Sequence, residues 1–321
     1  MKFSEFKYER PNFDQYKATM TSLIDQFKVA SSASEQLNIV TEINETRNHI
    51  ETMATLASIR HSIDTRDEFY DAEQNYWDEY GPLYEEINSL FYDAVVSSPY
   101  RNELEEKLSK QFFTILDYRL KAFSPEIIAD LQEENKLSSQ YTKLLASAKI
   151  PFDGEERTLP GMGKYLLSED RTVREAASKA KYAFFEEHEA EIDEIYDQLV
   201  KVRTRIAKKL GFNNFVELGY VRMTRSDYNP EMVENFRKQV LDYIVPVATS
   251  LYNRQEARLG YGTLRYFDEK FEFTTGNATP KGEPEWILEN GVKMYHELSP
   301  QTKEFFDFMV DSELLDLVNK P

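Results

Sequence analysis

Residues 169–210, EDRTVREAASKAKYAFFEEHEAEIDEIYDQLVKVRTRIAKKL, decide the fold class. Val173, Ala176, Ala177, Ala180, Ala183, Phe184, Ile192, Ile195, Tyr196, Leu199, Val202, Ile206 and Leu210 recur at steps of three and four. At about 100° per residue, that spacing places them on one stripe of a helix. Ser168 can cap its start, and Glu169 and Asp170 fall where the helix dipole favours acids. Lys208 and Lys209 occupy the last turn and Gly211 follows as a stop. The pattern predicts one long helix.

The same period runs upstream. Segments 12–30, 33–63, 67–97, 98–121 and 124–147 read as amphipathic helices, and residues 1–80 contain no glycine. Ser32 with Glu35 three residues on suggests a capping box. Asp67 and Ser124-Pro125 are further starts, while Gly81-Pro82 should break or kink the third helix. Residues 230–259 predict another helix, capped by Asn229, begun by Pro230, kinked at Pro246 and ended by Gly260. Strand signals are few. KIPFDGEERTL (149–159) sets Asp153-Gly154 between two short runs and reads as a hairpin. LRYFDEKFEFTT (264–275) alternates enough for a second extended segment, and GNATPKGEP (276–284) is a loop. The expected fold is all-α (mainly α), a multi-helix lobe with one or two short β hairpins or extended segments.

Composition narrows the function classes. The chain has 321 residues, 20 Tyr, 21 Phe, no Cys and a net charge of −18. Without cysteine there is no disulfide framework and no thiolate nucleophile or metal ligand, which favours a cytoplasmic setting. No basic patch dominates, which argues against nucleic acid. The start MKFSEFKYERPNFDQY has no apolar h-region, so no signal peptide is read, and no run approaches 18 apolar residues, so no membrane partner is expected. The acidity reads as solubility or as attraction for basic peptides.

No catalytic motif is visible. YHELSP (295–300) begins as a zinc-binding HExxH would, but position 300 is proline. Ser299-Pro300 reads better as the cap and first turn of the helix PQTKEFFDFMV, leaving His296 exposed. Helical metal ligands must stand three or four residues apart to share a face. His49, His61, His188 and His296 have no second histidine at that spacing; their acidic neighbours are Glu45 for His49, Asp64 for His61 and Glu191 for His188. G-x-S-x-G, Walker A and dinucleotide fingerprints are absent. Adjacent acids such as Glu186/Glu187 or Glu105/Glu106 diverge around the helix and read as solvated surface.

Four segments in order carry a resemblance. YLLSEDRTVREAASKA (165–180) resembles the s-x-D-R-x-V-R-x-x-A stretch of the oligoendopeptidase F family of thimet-like zinc metallopeptidases. LVKVRTRIAKKLGFNNFVELGYVRM (199–223) is similar to its R-x-x-x-A-x-x-L-G-f-x-n segment through Arg203, Ala207, Leu210, Gly211, Phe212 and Asn214. RLGYGTLRYFDEKF (258–271) resembles its L-G-x-x-x-L-r-x-x-D passage through Leu259, Gly260, Leu264, Arg265 and Asp268, and IPFDGEERTL resembles the preceding hairpin. The resemblance implies helical lobes around a channel for short peptides. Residues 1–195 would form the helical N-terminal lobe and 196–321 the beginning of an incomplete catalytic domain. In the family, zinc would acidify a water and the motif glutamate would act as general base. That HExxH helix would lie beyond DSELLDLVNKP, so the chain is expected to be truncated, to hold no catalytic, metal or known substrate-binding residue, and to be inactive alone. Implied partners are short peptides and a complementary catalytic half or self-association, with uncovered apolar surface near 290–321. The alternative is a non-catalytic helical module that binds peptides or a partner chain.

Overall fold

A computed structural model of the chain describes residues 1–279 and 281–317. It is mainly α, with one two-stranded antiparallel sheet among the described residues. The chain forms two compact units. The first comprises Met1–Tyr8, Ala148–Phe184 and Val247–Pro321; the second comprises Glu9–Ser147 and Phe185–Pro246. Residues 195 and 196 lie in the same unit, so the linear division read from sequence is a different partition from the spatial one.

The second unit contains α1 (Phe13–Val29), α2 (Ala33–Ile63), α3 (Glu68–Val96), α4 (Arg101–Leu108), α5 (Lys110–Lys121), α6 (Ile128–Ala146), α8 (Glu189–Lys209), α9 (Phe215–Arg222) and α10 (Pro230–Gln239). The first three pack pairwise around Phe27, Ile43, Ile87 and Phe91. Ser32 Oγ accepts from Glu35 N–H, as a capping box begins, but the Glu35 carboxylate takes Ser31 N–H and Oγ–H instead of Ser32 N–H. Asp67 caps α3 by accepting from Phe69 and Tyr70 N–H.

Three helical expectations change. Segment 98–121 is two helices, because Ser109 sits at φ 80°. The reason is register: Leu104 and Phe113 are nine residues apart, about half a turn out of phase on one helix, yet both enter the same core. Of the break or kink expected at Gly81-Pro82, the break does not occur, since α3 runs through both residues. Pro82 leaves carbonyls without intrahelical donors, and α6 supplies substitutes: Asn135 Nδ2 donates to Asp78 O at 3.1 Å and Gln132 Nε2 to Glu79 O at 2.7 Å. The long helix at 169–210 divides at His188 into α7 (Arg171–Glu187) and α8, and their stripes bury in different units.

The Pro246 expectation takes a specific form. A π-helical turn, Val240–Ile244, precedes α11 (Val245–Leu259), absorbing the lost donor by widening the helix. Asn229 caps α10 and Gly260, at φ 69°, ends α11, as the sequence implied.

The first unit holds the hairpin of β1 (Ile150–Phe152) and β2 (Glu155–Arg157), with Asp153 and Gly154 both at positive φ. Residues 264–275 are not a strand but irregular chain with turns at 266–270 and 274–275. Their carbonyls are satisfied by a side chain: Gln255 Nε2 donates to the oxygens of Asp268, Glu269 and Phe271. Two further helices, α12 (Pro284–Leu298) and α13 (Pro300–Asp311), pack on each other through a Tyr295–Phe306 stack at 4.2 Å. Ser299 caps α13 as expected. Neither helix contains a buried residue; Met294, Leu298, Phe305 and Phe308 are exposed, as are Leu314 and Leu317 beyond them. The expected uncovered surface near 290–321 is therefore present as far as residue 317, and Val318 to Pro321 lie outside the described residues.

Candidate functional site

The motif residues gather into two ionic knots. In the first unit, α7 begins at Asp170 rather than Ser168: Asp170 Oδ1 accepts from Thr172 N–H at 2.8 Å. Arg171 and Arg174, one turn apart, then share a face. Both reach Asp268, which is fully buried. Arg171 Nη2 donates at 2.7 Å, Arg174 Nη2 at 2.9 Å and Arg265 N–H at 3.0 Å. Arg174 is also fully buried; it donates to Ser168 O, Glu169 O and Tyr261 Oη and lies 4.0 Å above the Phe271 ring. Burial alone would raise the Asp268 carboxyl, but the two arginines outweigh it and hold it below the usual carboxylate range. Leu259 is buried beside this turn region. This arrangement positions backbone, with Asp268 and Arg174 fully buried and Arg171 partly exposed.

In the second unit, α6 and α8 form a charged seam. Glu134 accepts from Arg203 Nε at 2.7 Å and from Arg222 Nη1 at 2.9–3.0 Å. Asp130 accepts from Arg205 Nε at 2.6 Å and from Lys209. Desolvation opposes the Asp130 charge, and Lys209 and Arg205 override it, so its carboxyl is also held low. Ala207 is fully buried, and Gly211, at φ 83°, lets Phe212 N–H reach back to Ala207 O at 2.9 Å. Asn214 caps α9.

Beside this seam lies a cleft of 310 Å³ lined by Glu85, Tyr118, Arg119, Phe123, Glu134, Arg222 and neighbours. Burial pushes the Glu85 carboxyl up, with Asn88 Nδ2 donating to it at 3.3 Å. The sequence reading missed this group, because four helices distant in sequence assemble it. The spacing Asp130-x-x-x-Glu134 was a usable signal: like charges at i,i+4 repel unless basic groups face them.

The histidines are dispersed. His61 is buried and faces Asp71 at 3.4 Å rather than Asp64, which pairs with Arg66. His188 faces Glu191 at 3.4 Å, the one acidic neighbour its helix offered. His296 is half-buried rather than free in solvent, its Nε2 2.6 Å from Asp307 Oδ1. His49 borders a separate cleft with Gln15 and Thr46. Among the described residues no three His, Asp or Glu side chains are placed to hold a metal ion. The described residues do not fit a catalytic zinc. No helix among them is long and apolar enough to cross a membrane.

A helical scaffold knitted by buried arginine–carboxylate knots defines the class. Residues 3–123 match the Peptidase M3 N-terminal domain. The whole chain is similar to a crystal structure assigned as oligoendopeptidase F from Bacillus anthracis str. Ames, with 53% identity and a TM-score of 0.98, covering 100% of this chain and 59% of that one. It is similar to PZ peptidase A, solved with an inhibitor, at 55% identity and a TM-score of 0.98, covering 99% of this chain and 57% of that one. An oligoendopeptidase F from Enterococcus faecium, at 18% identity and a TM-score of 0.59, shares the fold, over 90% of this chain and 62% of that one. No curated protein matches. Over its whole length the chain matches the N-terminal part of oligoendopeptidase F structures at 52–55% identity. It spans 57–59% of the length of the two more similar structures.

Proposed function

We propose that this chain is the scaffold portion of a zinc oligoendopeptidase, an enzyme that hydrolyses internal bonds of short peptides. The observation that carries the reading is the match over the full chain at 53% identity to an oligoendopeptidase F structure of which it covers 59%. The 321 residues contain no HExxH, so the metal and its general base would come from residues outside this sequence. The exposed apolar surface of α12 and α13 supports a covering partner segment. In this reading residues 1–195 are the N-terminal lobe and 196–321 open the catalytic domain. The cysteine-free composition favours a cytoplasmic location.

The test uses the 321-residue chain, elemental analysis and a quenched peptide substrate. The chain alone should carry clearly less than one zinc per molecule and show no chelator-sensitive cleavage. Adding a polypeptide that bears the complementary HExxH-containing portion should bring both. One tightly bound zinc per chain, with cleavage, would sink the proposal. Saturable binding of short basic peptides without turnover, unaffected by the complement, would instead point to an independent binding module.

A further inference from the structure

The cleft in the second unit has a chemistry that the peptidase reading leaves unused. It opens among α3, α5, α6 and α9. At 310 Å³ it has room for about ten waters at ~30 Å³ each, which is at the small end of ligand pockets. One side is apolar, made by Phe123, Leu131 and Val221; Arg119 and Arg222 also line it.

Neither arginine is saturated. Arg222 gives Nη1 to Glu134, but its Nη2 is buried with no acceptor among the described residues. Arg119 joins no ion pair and donates no hydrogen bond among them. Arg119 acts on the Glu85 carboxylate across the cleft only through electrostatic attraction. The acids at the cleft are weakened as partners for these arginines. Glu134 is shared by Arg203 and Arg222, and burial raises the Glu85 carboxyl. The lining carries two arginines and two glutamates, formally balanced with Glu85 ionised, and the raised Glu85 carboxyl shifts that balance towards positive as it takes up a proton. Arginine forks bind carboxylates by paired, charge-assisted hydrogen bonds.

We propose that this cleft binds a small amphipathic carboxylate, with its anionic group on Arg119 and Arg222 and its apolar part against Phe123, Leu131 and Val221. Such a group occurs on acylated apolar amino acids and at the C-terminus of short peptides.

The experiment titrates the 321-residue chain by NMR or calorimetry with N-acetyl-leucine, its uncharged amide, and the tripeptide acid acetyl-Ala-Ala-Leu. N-acetyl-leucine should saturate one site with a dissociation constant of about 1 mM, and the amide should bind about tenfold or more weakly. Arg119→Gln should weaken the acid by about tenfold and leave the amide unchanged. Arg119 is exposed, so the variant should keep the wild-type circular dichroism spectrum. Binding of the tripeptide acid with the same Arg119→Gln sensitivity would assign the site to peptide C-termini. Binding of N-acetyl-leucine without the tripeptide would assign it to free carboxylates. Equal binding of acid and amide, no saturation, or indifference to Arg119→Gln would overturn the proposal.

Discussion

The two compact units are held by different physics. In the second, the largest fully buried side chains include Phe27, Phe91, Phe113, Ile43 and Ile87, and both hydrophobic clusters of described residues lie there. In the first, the largest is Arg174, followed by Phe271 and Met162. Apolar burial is non-directional and scales with area. A buried ion knot is directional: it returns its desolvation cost only when each partner is present and aligned. Tolerance to substitution should therefore differ between the units.

The sharpest break is Asp268→Asn. It keeps the shape but leaves Arg171 and Arg174 without their counter-charge, and should cost about 3–5 kcal/mol, read from the urea midpoint. The sign of the pH effect follows from the depressed carboxyl. A folded value below the unfolded one contributes stability above about pH 4, and that contribution is lost as pH falls through the folded value. The gap between wild type and Asp268→Asn should thus narrow in acid; a constant gap from neutrality to below about pH 3 would refute the ionic account.

Ile87→Leu probes the second unit. Ile87 is fully buried, but the swap conserves volume and should cost under about 1.5 kcal/mol. A loss as large as that of Asp268→Asn would erase the contrast. The smallest effect is expected at Phe305→Ala on the exposed hairpin, under about 0.5 kcal/mol. That change should reduce any self-association seen by sedimentation, since it trims the uncovered apolar surface. A large loss of stability would mean that α13 is packed more tightly than its exposure indicates.

Much of the fold was legible. Helical periodicity, the Asn229 and Ser299 caps, the Asp153-Gly154 hairpin turn and the glycine stops at 211 and 260 act within a few residues, and the structure contains each. The family was legible because its motifs lie in short continuous runs. Three departures share one cause. Pro82 is tolerated because α6 lends Asn135 and Gln132, and 264–275 turns because Gln255 satisfies its carbonyls. Ser109 breaks a helix so that Leu104 and Phe113 can face one core. In each case a partner distant in sequence outvoted the local preference.

The sequence by itself determined the helices, most of their ends and the family, because backbone propensity, capping and hydrophobic period are local. Tertiary structure alone decided that motif arginines 171 and 174 serve a buried Asp268, and that Arg119 and Arg222 meet at one cleft. Charge pairing and cavity shape depend on which helices come together in space, and no single stretch of chain encodes that.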